Sequence, residues 1–147
     1  MTNETTALCV FNRQDFGQQY TSFKVSTIQE KKALYNSINA PDYRLADHIN
    51  KVIDLRDVVI NTVTLTADKT DKAPNGWGMR DEDQDAFRVI IIDKDGTTYT
   101  ATSSGIYNSV RNIFNIFGTL HFDDEMRVEV KQVKTKNGNT LTLALVD

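Results

Sequence analysis

The stretch FRVIIIDKDGTTYTATSSGIYNSVRNIFNIFG, residues 87–118, decides how the rest of this chain is read. Phe87 to Asp93 is rich in β-branched residues, which suits a buried strand. Lys94-Asp95-Gly96 supplies a tight turn, because glycine tolerates the positive φ that short hairpin loops need. Thr97 to Thr102 alternates, with Tyr99 and Ala101 on one side and Thr98, Thr100 and Thr102 on the other. Ser103 or Ser104 then offers an N-cap hydroxyl. Ile106, Val110, Ile113, Phe114 and Phe117 follow at helical spacing, opposite Asn108, Arg111, Asn112 and Asn115. Gly118 stands where a left-handed C-terminal residue is expected.

Downstream, Met126 to Lys134 alternates as a strand, with Val128, Val130 and Val133 inward and Arg127, Glu129 and Lys131 outward. Lys136-Asn137-Gly138-Asn139 is a second hairpin turn, and Thr140 to Val146 a final strand. Upstream, Val52 to Thr66 is the longest strand candidate. Its apolar face changes parity near Asp57 to Val59, which points to a bulge that lets one strand serve both halves of a small barrel. Ala67 to Ala86 is a long polar loop centred on Pro74, Gly76, Trp77 and Gly78. Further back, Tyr20 to Val25 alternates as a short strand. Thr27 and Glu30 have capping-box spacing ahead of a helix through Ile38, which Asn39-Ala40-Pro41-Asp42 ends. Tyr43 to Ile49 suits one helical turn, and residues 1–19 are a polar arm.

From Val52 the order is strand, long loop, strand, tight turn, strand, helix, strand, tight turn, strand. That is the order of an OB-fold, a five-stranded Greek-key barrel with a helix between its third and fourth strands. The expected fold is mainly β with helices (α+β). Residues 20–147 would form one domain, the barrel spanning about 52–147 and an N-terminal strand-helix extension packing on it.

The composition, 39% apolar and 25% charged, is that of an ordinary soluble domain, and no apolar run nears the roughly 20 residues a membrane span needs. The N-terminus does not read as a secretory signal, and Cys9, the only cysteine, excludes a disulfide scaffold; both favour a cytoplasmic site in the host. The net charge of −3 weighs against a general duplex-DNA binder. All of it arises between Ala67 and Ala86, where six acids face three bases; the flanking segments are balanced and could still present a basic groove.

Chemistry is poorly represented. His48 and His121 lack metal-ligand spacing, and there is no nucleophile elbow, phosphate loop or dinucleotide fingerprint. Asp93-Lys94-Asp95-Gly96 begins like a calcium loop, but its glycine comes too early, so it reads as a turn. His121 with Asp123, Asp124 and Glu125 reads as a solvated loop. No catalysis, cofactor or metal is expected.

Binding features are richer. OB-folds hold oligonucleotides on the face of strands two and three and in the loops joining strands one to two and four to five. Those regions here carry Arg88, Lys94, Thr98, Tyr99 and Thr100, then Trp77 and Arg80, then Lys134, Lys136 and Asn137. Cations follow a phosphate backbone and aromatic planes stack on bases, which is what single-strand binders need. Tyr99 either fills the barrel or stacks; Trp77 is either exposed or staples its loop; Tyr107 reads as core. Arg88, Lys134 and Lys136 are expected to face solvent. In the arm, Leu8, Val10, Phe11 and Phe16 exceed what a solvated tail requires, so the arm is expected to touch neighbouring copies in an oligomer; the alternative is an inert tail.

Three segments carry a resemblance: KKALYNSINAPDYRLADHINKVIDLRDVVI (31–60), IIIDKDGTTYTATSSGIYNSVRNIFNIFG (90–118) and VEVKQVKTKNGNTLTL (128–143). Together they resemble single-stranded DNA-binding proteins encoded by phages and conjugative plasmids of Gram-positive bacteria, over roughly residues 20 to 145. The resemblance implies an OB-fold that coats single-stranded DNA in phage or plasmid replication or transfer, with DNA and neighbouring copies as partners and no membrane. Ordinary bacterial proteins of this function end in a disordered acidic tail that recruits partners. LTLALVD (141–147) instead reads as a strand, so recruitment by such a tail is not expected. The competing reading is a structural or adaptor protein of a phage or plasmid that uses the barrel for protein contacts, favoured by the acidic net charge. A small nuclease is a third reading, and it lacks a carboxylate or histidine cluster.

Overall fold

The computed structural model describes residues 19–65, 84–136 and 138–147. In chain order these form β1 (Gln19–Thr21), α1 (Ile28–Asn39), β2 (Tyr43–Arg44), a short 3-10 turn (Leu45–Asp47), β3 (Val52–Leu65), β4 (Gln84–Asp93), β5 (Thr98–Ala101), α2 (Ser104–Phe117), β6 (Arg127–Thr135) and β7 (Gly138–Leu145). The sheet runs β2-β5-β4-β3-β6-β7, with β1 also on β3. All pairings are antiparallel except β2 on β5. The result is a curled, mixed sheet with two helices, consistent with a barrel.

The curl is built into β3. Its first residues, Val52 to Asp54, pair with β6, and Leu55 to Leu65 pair with β4. The register slips between Leu55 and Asp57, where the sequence pattern changes parity. Before the slip Ile53 and Leu55 enter the main core; after it Val58 and Ile60 do. A one-residue slip exchanges the faces of a strand, so the bulge keeps apolar side chains inside while the strand bends.

β4 starts at Gln84, so the hairpin with β3 extends into the stretch that reads as loop in the sequence; Val63 to Leu65 pair with Gln84 to Ala86. β1 is shorter than Tyr20–Val25. The chain leaves the sheet at Ser22, whose N–H donates to Val58 O (3.0 Å) and whose Oγ accepts from Val58 N (2.8 Å). The Thr27–Glu30 capping box forms: Thr27 Oγ1 accepts from Glu30 N (3.1 Å), and Glu30 Oε1 accepts from Thr27 N and Ser26 N (both 2.9 Å). Those amide donors hold the Glu30 carboxyl down at about 2. The expected helical turn near Tyr43–Ile49 is the 3-10 segment, preceded by β2, which the sequence pattern does not reveal. Val133 is a correction: it lies on the outer side of β6 and is 41% exposed, because inward positions there are the even ones, Val128 and Val130.

Two apolar layers result. The inner core joins β3, β4, β5, β6 and β7 to α2 through Ile91, Tyr99, Ile106, Val110, Val128 and their neighbours. Phe87 and Tyr107 stack at 4.4 Å within it. A smaller outer layer holds α1 against the back of the sheet: Val59, Ile90 and Ile92 meet Phe23, Leu34 and Ile38. At its N-terminus α2 is capped by Ser103, and it ends on Gly118 at φ 77°. It lies flush on β7, because a Cβ at Gly105 would collide with the Leu141 carbonyl. Ser109 Oγ accepts from Leu143 N (3.1 Å) and donates to Gly105 O (2.8 Å), so the helix covers part of the β7 backbone edge.

Where β3 leaves β6 and meets β1, Asp57 fills the gap. It is 2% exposed and accepts from Ser22 Oγ (2.8 Å), Arg56 Nε (3.0 Å) and His121 Nδ1 (2.6 Å). His121 Nε2 also meets Asp123 Oδ1 at 3.0 Å. The bond to Asp57 raises the His121 imidazole above its ordinary value, against burial, which lowers it. A raised folded pKa contributes stability that is complete below the unfolded value of about 6.5 and is lost as pH rises through the folded value. Denaturation midpoints should therefore fall between pH 6 and pH 8.5. His121→Gln should be less stable at pH 6 and should flatten that fall; equal slopes in both proteins would show that this pair does not set the pH dependence.

Candidate nucleic-acid interface

The residues read as a binding face on β4 and β5 do come together, but most of their polar atoms serve the fold. Arg88 is half-buried, not solvent-facing as expected. Its Nε donates to Thr100 Oγ1 (2.9 Å) and its Nη1 to Ile38 O (2.6 Å) at the end of α1. The reason is α1 itself: it covers the back of β3 and β4, and a cation beneath its C-terminal carbonyls is favourably placed against the helix dipole. Burial pulls the guanidinium below the usual arginine value, and arginine stays charged regardless.

Lys94 has all three ammonium protons placed, on Asp54 Oδ1 (2.9 Å), Leu55 O (3.0 Å) and Asp124 O (2.8 Å). Asp54 also accepts from Met126 N, and these bonds, the amide first, hold its carboxyl below the ordinary range. Thr98 is buried; its N–H and hydroxyl donate to Asp42 Oδ2 (3.0 and 3.2 Å), while its Oγ1 accepts from Asp42 N (2.9 Å). Tyr99 is 3% exposed and belongs to the core; burial, then Asp93, raise its phenol above the ordinary value. The Asp93-Lys94-Asp95-Gly96 segment is the expected turn, with Asp93 Oδ1 accepting from Asp95 N and Thr97 N.

Lys134 and Lys136 are exposed at the tip of the β6–β7 hairpin, as expected. Thr135 pairs with Gly138, whose φ is 118°, and Lys136 follows the end of β6. Trp77, Arg80 and Asn137, and the arm residues Leu8, Val10, Phe11 and Phe16, lie outside the described residues.

Ion pairing separates the available cations from the occupied ones. Arg44, Arg56, Lys94, Arg127 and Lys131 are paired with Asp47, Asp57, Asp54, Glu125 and Glu129. Lys24, Lys31, Lys32, Lys51, Arg111, Lys134 and Lys136 carry no ion pair among the described residues. Lys31 and Lys32 share α1 with Tyr35, an exposed aromatic. A second exposed aromatic, Tyr43, stands on β2. Sequence reading passed over both; the signal was aromatic residues interleaved with Lys31, Lys32 and Arg44, outside the barrel strands. A groove of about 550 Å³ beneath α1 is lined by Lys24 and Arg56, but also by Glu30, Asp42 and Asp57, so it does not favour an anion. Among the described residues no group of three or more His, Cys, Asp or Glu could hold a metal ion, and no helix is long and apolar enough to cross a membrane.

Across residues 17–146 the chain matches the model of a family described as phage single-stranded DNA-binding protein. No curated protein and no solved structure matches it.

The placement of Arg88 yields a direct test. Arg88→Ala removes two charge-assisted hydrogen bonds and leaves the Ile38 carbonyl without that donor, so it should cost about 1.5–3 kcal/mol of stability in urea, without DNA present. A variant as stable as the parent would mean that Arg88 does not hold α1 to the sheet.

Proposed function

We propose that this chain, which belongs to the phage single-stranded DNA-binding protein family, coats single-stranded DNA during phage replication with little regard to sequence. The family match over residues 17–146 carries the reading. Such a family is generally non-enzymatic, and the protein acts by binding, in the host cytoplasm. The strand order supports an OB-type barrel. Reading β3 to β7 as strands one to five gives the sequence 3-2-1-4-5 across the sheet, with α2 between the third and fourth strands along the chain. In that frame the β6–β7 turn, with Lys134 and Lys136, is the loop between strands four and five. Residues 66–83, Trp77 and Arg80 among them, lie outside the described residues; by chain order they connect strands one and two. In OB-folds the connections between strands one and two and between strands four and five help to hold oligonucleotides.

Cations on phosphates release counterions, so the logarithm of affinity should fall linearly with the logarithm of salt, by about 0.7 per phosphate neutralised on a single strand. Labelled oligo(dT) titrated at several salt concentrations should show this slope, and oligonucleotides of other composition should bind similarly, since stacking accepts any base. Changing both Lys134 and Lys136 to Ala should weaken binding and reduce the slope by about 1.4, with folding intact. Salt-independent affinity would instead favour the adaptor reading.

The arm supplies the finer part of the proposal: Leu8, Val10, Phe11 and Phe16 contact the neighbouring copy along the strand. About 18 extended residues reach roughly 60 Å, and a tethered contact need only be weak to help. Removing residues 1–12 should lower assembly on long strands and leave binding to a one-site oligonucleotide nearly unchanged. Equal assembly with and without the arm would end this part of the proposal.

A further inference from the structure

We infer that Tyr43 is a stacking platform for one nucleobase of the bound strand. The inference rests on the single-strand-binding reading and adds a residue and a ligand class to it.

The ring is placed by a sequence of specific contacts. β2 has only two residues, and its parallel pairing sets Tyr43 directly opposite Tyr99. Opposite residues of neighbouring strands point to the same face, so the two rings lie together, with centroids 5.6 Å apart and planes 28° from parallel. His48 meets Tyr43 edge-on at 4.9 Å and Tyr99 at 5.7 Å. The segment is fastened at both ends: before Tyr43, Asp42 N donates to Thr98 Oγ1 (2.9 Å). Leu45 is fully buried, and beyond it Asn50 N donates to Val130 O (2.6 Å) and Val130 N to Lys51 O (3.0 Å). Tyr99 is buried behind this arrangement, yet Tyr43 remains 49% exposed. It is an aromatic ring backed by a second ring and held by the backbone. A base landing on such a ring pays little ordering entropy, unlike one landing on Tyr35, which meets no other ring among the described residues.

Charge selects the ligand. Asp42, Asp93 and Asp95 lie close enough to act on the Tyr99 phenol. They disfavour a phosphate beside the paired rings, and they do not oppose the neutral π-face of a base. A flanking phosphate would instead meet a cation such as Lys51, whose N–H donates to the carbonyl of His48 (3.0 Å) and which is exposed and has no ion pair among the described residues.

The test compares Tyr43→Phe, Tyr43→Leu and Tyr43→Ala in oligo(dT) titrations, with thermal melts of each variant. Phe keeps the π-face and should bind within about twofold of the parent. Leu keeps an apolar cover over Tyr99 and removes the π-face, so it should melt near the parent and bind roughly 5- to 150-fold more weakly, the range for one lost stacking contact. Ala should bind as weakly as Leu or more so. Oligonucleotides carrying 5-iodouracil should crosslink to the peptide containing Tyr43. If the parent binds oligo(dT) and Tyr43→Leu binds equally well, the inference is overturned while the binding function stands. A parent that does not bind oligo(dT) overturns the function itself.

Discussion

A single slip in β3, with the buried carboxylate beside it, fixes most of this architecture. Before the slip the odd-numbered side chains face the core; after it the even-numbered ones do. Without it, half of a 14-residue strand would turn its apolar side outward. The slip also opens a gap in the hydrogen-bonding edge, between the part of β3 paired with β6 and the part paired with β1. Asp57 occupies that gap. An unpaired charge there would be expensive, and three donors from the N-terminal extension, from β3 itself and from the segment after α2 satisfy it. One residue therefore ties together parts of the chain that are distant in sequence. Lys94 does the corresponding work on the next carboxylate along, Asp54, which also receives the Met126 amide.

What the sequence revealed follows from this. The hairpin of β4 and β5, α2 with its Ser103 and Gly118 caps, the Thr27–Glu30 capping box and the β3 slip are all set by neighbours within a few residues, and their patterns are visible along the chain. β2 is not, because its pairing depends on Tyr99, far away in sequence. Val133 was misplaced because a valine at the end of a strand looks the same on either face. At the candidate interface the difference is sharper. Lys134 and Lys136 were legible because a hairpin tip leaves its side chains nowhere to be buried. Arg88, Thr98 and Lys94 alternate like surface residues of an open sheet. Whether that surface stays open depends on α1, Asp42 and Asp54, which the local pattern of β4 and β5 does not encode.

α1 also changes how the barrel can be used. It occupies the back of β3 and β4 with its own apolar cluster and places Arg88 beneath its last turn. A ligand following the strand-two and strand-three face of such a barrel would meet this helix before it met the sheet. Among the described residues, cations left without ion pairs include Lys31 and Lys32 on α1, Lys51 beside β3, and Lys134 and Lys136 at the β6–β7 tip. Scattered, singly weak charges suit tracking of a flexible polyanion better than recognition of one sequence, since each contributes the same counterion release whatever base it accompanies.

Coating a strand, as proposed above, would also set a demand that a solitary domain does not face. Copies held side by side raise one another's local concentration, and any open sheet edge then becomes a template for pairing between copies. Both ends of this sheet are blunted. β2, at one end, is two residues long and offers almost no ladder. At the other end β7 is longer, and α2 lies along it: Ser103 meets Thr140, Ser109 meets Thr142, and the Leu143 amide is taken by Ser109. The close approach this requires is possible because position 105 is glycine. Ser109 on α2 therefore takes one β7 amide as a neighbouring strand would in a closed barrel, and the helix lies over that part of the edge. Where copies line up along DNA as proposed above, contact between them would come from side chains and from the arm rather than from these blunted edges.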